Sequence, residues 1–228
     1  AVSMLFRDHL ACDSLTHIEI TLDRDEFRRQ RLYRKPVDTY LRKHERTFTT
    51  LFNYFKTVNQ EETTAYLPYH GWELLLQQGG IINDFFTPRD AMNCFLWSRT
   101  YKLDDTKKRP KVTGMTYVDF LEGLGRVAEV VSPPAVPDLR RQGYESDTPT
   151  YEYYHKVFHT DSGAPPLPDR LSSLFDYPKT RPLQHKLQQI MEVLLLSLAE
   201  KMGFGTAGEM MVKLKELAAA GPSPTTTS

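Results

Sequence analysis

The chain has 228 residues, with 29 Lys+Arg against 29 Asp+Glu, 40% hydrophobic and 25% charged. That is enough apolar material for a real core, and it excludes collagen-like, disulfide-stapled and wholly disordered chains. A net charge of zero is not that of a generic nucleic-acid binder. Two cysteines, Cys12 and Cys94, point to a reducing compartment, the cytoplasm. No apolar run approaches the roughly 20 residues of a bilayer span, so no membrane partner is expected. Arg7 and Asp8 interrupt the N-terminus where a signal peptide would be apolar. The chain starts at Ala1 rather than Met, as a processed or trimmed product does.

Residues 1–38 read as an extended basic arm. Ile18, Ile20 and Leu22 alternate with polar residues as a short strand would, but no partner strand is evident. From Asp23 to Lys56 there are ten Lys/Arg and five Asp/Glu, densest at Arg28, Arg29, Arg31, Arg34 and Lys35. Such a cluster is either a solvated face or an arm for an acidic surface.

Residues 39–131 hold four helices. Leu41, His44, Phe48, Leu51, Phe52 and Phe55 recur at helical spacing. Trp72, Leu75 and Leu76 start a shorter helix that Gly79-Gly80 stops. Thr87-Pro88-Arg89-Asp90 and Thr116 with Asp119 are helix starts; the second is a capping box, with Met115 and Phe120 placed as a hydrophobic staple. The first of these helices buries Ala91, Cys94 and Phe95, the second Phe120, Leu124, Val127 and Val131.

Eight prolines from Pro133 to Pro178 define residues 132–180 as a Pro-rich segment, and Pro182 follows it. Short helices are expected over 151–158 and 169–175, with extended chain between them. Its many rings, Tyr151 and Tyr154 among them, suit a segment that wraps neighbours and is ordered by them. Residues 181–228 carry a long amphipathic helix from Leu183 to Met202, then a second helix started by Thr206 and Glu209, then a low-complexity tail. Val193, Leu195 and Leu196 lie off the main apolar stripe, so the long helix needs cover on more than one side, from its own chain or a partner.

The first half contains a degenerate repeat. Leu67-Pro68-Tyr69-His70-Gly71-Trp72 aligns with Met115-Thr116-Tyr117-Val118-Asp119-Phe120, and Leu76 with Leu124. A helix, a loop, an apolar residue and a new helix, twice, resembles the EF-hand plan, and residues 115–124 resemble the exit of an EF-hand loop. Both loops are longer than a working one, and the ligand positions are empty: position 12, which takes a bidentate Glu, is Gly71 in one repeat and Asp119 in the other. Lys107, Lys108, Arg109 and Lys111 make the second loop basic. The expectation is a paired helix–loop–helix without metal.

The same residues resemble EF-hand-like scaffold proteins of cilia and flagella. They are Lys43-His44-Glu45 leading to Leu51-Phe52, then Trp72-Glu73-Leu74-Leu75, Phe95-Leu96-Trp97-Ser98, and Phe120-Leu121-Glu122-Gly123-Leu124-Gly125-Arg126-Val127-Ala128. This resemblance implies a non-enzymatic structural protein of the axoneme, in cytoplasm and cytoskeleton, with tubulin or other axonemal proteins as partners. The other readings are a Ca²⁺-responsive regulatory adaptor and a small-molecule enzyme.

No residue set asks for catalysis or a cofactor. His155 and His159 have metal-ligand spacing, but Lys156 stands where a zinc helix carries Glu. Gly203-Phe204-Gly205-Thr206-Ala207-Gly208 matches a dinucleotide motif in letters, but follows a helix rather than a strand; it reads as a helix–turn–helix corner. Trp72, Phe95 and Phe120 are core residues first and groove residues second. The expected partner-binding set is Arg28, Arg29, Arg31, Arg34, Lys35, Trp72, Tyr151, Tyr154 and Leu195.

Overall fold

A computed structural model describes residues 24–58, 65–99, 114–159 and 181–220. The chain is mainly α, as its periodicities predict. A short helix, α1 (Arg24–Phe27), runs on as a π-helical turn over Arg28–Leu32. Then follow α2 (Lys35–Lys43), α3 (Glu45–Phe55), β1 (Leu67–Pro68), α4 (Tyr69–Gln78), α5 (Pro88–Ser98), β2 (Gly114–Met115) and α6 (Tyr117–Val131). The second half adds α7 (Val136–Arg141), α8 (Pro149–Tyr154) with a π-helical turn to His159, α9 (Leu183–Lys201) and α10 (Ala207–Ala220).

Local chemistry sets the ends. Thr87/Asp90 and Thr116/Asp119 both form reciprocal capping boxes, satisfying two amide donors at each helix start. Three helices stop on a left-handed glycine: Gly80 (φ 67°), Gly143 (φ 90°) and Gly203 (φ 75°). At each stop the next amide folds back, with Ile81 N–H donating to the Leu76 carbonyl, Tyr144 N–H to Leu139 and Phe204 N–H to Ala199. Gly203 is therefore a helix stop and the glycine-rich motif is a helix–turn–helix corner. The helix expected through His44 is broken there: the backbone leaves helical geometry, and the imidazole stacks 4.6 Å from the Tyr40 ring.

The two repeats meet at equivalent points. Leu67 pairs with Met115 and Pro68 with Gly114 in a two-residue antiparallel ladder, and each strand runs straight into its helix, α4 or α6. The Trp72 and Phe120 rings, one from each repeat, pack edge-on at 6.2 Å, and Phe52 sits 5.6 Å from Phe120. All three rings are buried. Gly71 stands where α4 crosses the end of α3: a Cβ there would lie 2.2 Å from the Phe55 carbonyl oxygen. Position 71 therefore has no room for any side chain.

α9 is the central helix. It packs on α6, α8, α4, α2 and α10, and eleven of its 19 residues are buried. The second apolar side required by its sequence is covered by this chain itself. Parts of the segment expected to be ordered by a partner pack on this chain itself, at Leu139 and over α8. Pro149, Thr150, Tyr153 and Tyr154 are buried as α8 lies against α9. The prolines here start helices rather than break them, with Pro137 and Pro149 in the first turns of α7 and α8. The expected strand at 18–22, the helix at 169–175, Cys12, the Lys107–Lys111 cluster and the C-terminal tail lie outside the described residues.

Candidate functional site

The basic cluster is not an extended arm from residue 24 onward. It is a helical elbow docked on α6, and its docking strip is written in the sequence Phe120–Val131. Gly125 leaves a notch: a Cβ there would come within 3.2 Å of Leu32 and 3.6 Å of Phe27. Glu122 and Glu129 flank that notch, seven residues apart and so on one helix face. Both are buried. Arg28 Nε donates to Glu122 Oε2 at 2.8 Å, and Arg126 Nη2 donates to the other oxygen at 2.8 Å. The buried Arg126 guanidinium also lies 4.4 Å from the centre of the Phe27 ring.

Glu129 holds three segments together. Arg31 Nη2 lies 3.0 Å from both its oxygens and also donates to the Arg181 carbonyl at 2.8 Å. Lys186 Nζ, wholly buried on α9, donates to Glu129 Oε1 at 2.9 Å. Among the described residues, two carboxylates thus face four cations. Arg28 and Arg31 keep 21% and 16% of their side chains in solvent, which relieves the imbalance. Burial pushes Arg126 down and pushes Lys186 down to about 8, although Glu129 pulls the latter back up.

Lys186 gives a pH prediction. Its proton leaves near 8 in the folded chain and near 10.4 in an unfolded one. Between those values the unfolded chain binds more protons, so stability rises with pH across that window. Below it the charged, desolvated ammonium lowers stability by about 3 kcal/mol at most. Cys94, pushed up to about 12 by burial, opposes this from about pH 8.5, and Tyr40, Tyr69 and Tyr151, also pushed up to about 12, only above about pH 10. The gain in urea midpoint of Lys186→Met over the wild type is expected to be largest at pH 7.5 and to shrink toward pH 9.5, because the other titrating groups are common to both. The same gain at both pH values rejects Lys186 as the titrating group.

With Arg28 and Arg31 turned inward, the outer side of the elbow is Arg29, Tyr33, Arg34 and Lys35, all exposed, Tyr33 to 67%. Arg29 pairs with its neighbour Glu26 at 2.6 Å, and Arg34 Nε donates to the Gln30 carbonyl. Arg42, Lys43 and Arg46 are exposed further on; Arg42 pairs with Asp38 at 2.9 Å. Arg34, Lys35, Lys43 and Arg46 make no ion pair with another described residue. The result is a basic surface carrying one open ring on a rigidly anchored base.

The expected partner-binding residues divide accordingly. Arg29, Arg34 and Lys35 face solvent. Arg28 and Arg31 are internal ties. Trp72 is buried, with Nε1–H donating to the Ala91 carbonyl at 3.0 Å, and Tyr154 is buried against α9 and its neighbours, so neither is open to a partner. Tyr151 is half-buried and donates its hydroxyl to Glu200 at 2.9 Å. Leu195 is half-buried against the core. Tyr33 was missed because a lone ring between charges carries no periodicity. Glu122, Arg126 and Glu129 did leave a signal: charges at i, i+4 and i+7 inside an otherwise apolar helix face.

Other chemistry is limited. A surface cleft of about 310 Å³ is lined by Ser146, Thr148, Tyr151, Glu152, His155 and Lys156. Its charged groups are engaged: Lys156 with Glu152 inside the cleft at 2.6 Å, and His155 with Glu200 outside it at 3.4 Å. Cys94 is buried and pushed up to about 12 by desolvation, a core thiol rather than a nucleophile. Asp119, at the last ligand position of the second repeat, accepts the Thr116 amide at 2.9 Å. No group of three potential metal ligands occurs among the described residues, and no described helix is long and apolar enough to cross a membrane. No family model, curated protein or solved structure matches this chain.

Proposed function

We propose that this chain is a non-enzymatic structural protein of a large cytoskeletal assembly, docking on an acidic protein surface through Arg29, Tyr33, Arg34 and Lys35. The carrying observation is the division of the cluster. Arg28 and Arg31 are tied to buried carboxylates, while the residues between and after them face outward. A rigid basic surface with an exposed ring loses little entropy when it docks. The resemblance to axonemal scaffold proteins makes the microtubule the acidic surface of choice.

The ladder at equivalent positions supports reading residues 39–131 as two copies of one EF-hand-like unit. The crowding at Gly71 and the capping role of Asp119 favour an architectural use of that unit over a calcium-responsive one. The engaged charges of the cleft argue against a catalytic site there.

The test is co-pelleting of the full chain with assembled microtubules. Triple reversal, Arg29→Glu, Arg34→Glu and Lys35→Glu, is expected to weaken binding about tenfold or more, and added salt to weaken wild-type binding in the same sense. These side chains are exposed, so the melting temperature should barely move. Binding unchanged by the reversal, or no pelleting of the wild type at low salt, rejects the reading.

A further inference from the structure

Among the described helices of ten residues or more, α10 is the least embedded. Only Met210 and Leu214 of its 14 residues are buried. Ala207, Met211 and Ala218 are half-buried, so the inward seam runs Ala207, Met210, Met211, Leu214, Ala218. Val212 and Leu217 remain exposed on the helix, at 62% and 37%. This seam lies along α3 and against α9, whose own apolar residues need that cover.

The joint before α10 is short and open at its two glycines, with Phe204 alone packed inward. Gly203 has φ 75°, and nothing lies within 4 Å of where its Cβ would be; Gly205 would meet only the end of Glu209, at 3.6 Å. Residues 203, 205 and 206 are exposed. By contrast, the end of α9 is fixed, because Lys201 Nζ donates to the Gln77 carbonyl at 2.8 Å. The helix start at Thr206 travels with α10, since Glu209 N–H donates to the Thr206 hydroxyl at 3.2 Å. Motion about 203–205 would thus lift α10 as a capped unit and leave the groove walls in place.

We propose that α10 is the resident occupant of a helix-binding groove formed by α3 and α9, and that the groove exchanges it for an amphipathic helix of a partner protein. The seated helix defines that partner: a Met or Leu pair four residues apart, flanked by small residues a turn away. Methionine suits an exchangeable seam, because its unbranched side chain repacks against varied surfaces, and helix-in-groove binding reads anchors at this spacing. The inference does not rest on the basic surface, and reversal of Arg29, Arg34 and Lys35 leaves it untouched.

The experiment uses the full chain and a fluorescein-labelled peptide of residues 204–220. Met210→Asp with Leu214→Asp expels α10 by burying charge. The double variant is expected to keep its helical circular dichroism and to bind the peptide at least about tenfold more tightly than the wild type, where α10 competes in cis. A peptide with the same two substitutions should not bind. In the wild type, α10 amides are expected to exchange about a hundredfold faster than those of residues 187–198, reporting local opening. Several results would overturn the proposal: a folded variant that ignores the peptide, a variant that unfolds, or α10 protection equal to that of α9. A wild-type dimer that persists on dilution and excludes the peptide would assign the groove to a second copy of the chain, and overturn the partner reading.

Discussion

Replacing Glu129 with alanine is expected to lower the unfolding free energy by about 4 kcal/mol, the range for removing one partner of a buried ion pair. The expected loss is large because two cations converge on one carboxylate. Arg31 can recover water, being 16% exposed, and keeps its bond to the Arg181 carbonyl. Lys186 cannot, being wholly buried. The ammonium then loses the carboxylate at 2.9 Å and stays desolvated. Adding Lys186→Met should restore most of the loss, since an apolar residue of similar length leaves no charge to desolvate. Urea unfolding at pH 7 of the single and double variants measures both effects. A single-variant loss below about 1 kcal/mol, the range of exposed pairs, would place Glu129 in solvent and sink the description of the clasp.

Gly71→Ala is expected to destabilise by about 3 kcal/mol, the upper range for overpacking. The atom met at 2.2 Å is a backbone carbonyl oxygen at the end of α3, and backbone cannot turn aside as a side chain can. The two repeats would have to separate locally, straining the Leu67–Met115 ladder. Gly125→Ala is the contrast: its nearest neighbour is a leucine methyl at 3.2 Å, which can give way, so a loss of about 1 kcal/mol is expected there. Thermal melts of the two variants should differ by several degrees. Equal shifts would mean that α4 and α3 do not cross at Gly71.

Much of this architecture was legible because its determinants are local. Thr87 with Asp90 and Thr116 with Asp119 mark their helix starts within four residues, and Gly79-Gly80 and Gly203 mark stops. The apolar stripe of α9 was also visible, as was its need for cover on a second side, though not that α8 and α10 would supply it. What the sequence hid is long-range. Arg28 and Arg31 look like a solvated cluster because their carboxylates lie 94 and 98 residues away. Prolines 137 and 149 look like breakers until their first-turn positions are known. Trp72 and Tyr154 looked available because a ring at helical spacing reads alike whether a neighbour in the chain or a partner covers it. Of the candidate interface, three exposed cations were readable in advance; Tyr33 and the buried anchor beneath it required the fold.

The meeting of Arg31, Glu129 and Lys186 has a consequence for synthesis. Lys186 lies 57 residues after Glu129, so on a ribosome adding about 5–20 residues per second it appears roughly 3–11 s later. Until then α6 has no α9 to lie against, and its buried face, with Glu129 in it, stands open on one side. The nascent chain therefore spends that interval with half a core, a state that invites chaperones and forbids stepwise, domain-by-domain folding. Chains stopped short of α9 should accumulate as insoluble or degraded fragments, whereas completion of α9 closes the N-terminal elbow, the repeats and the C-terminal half in one cooperative event.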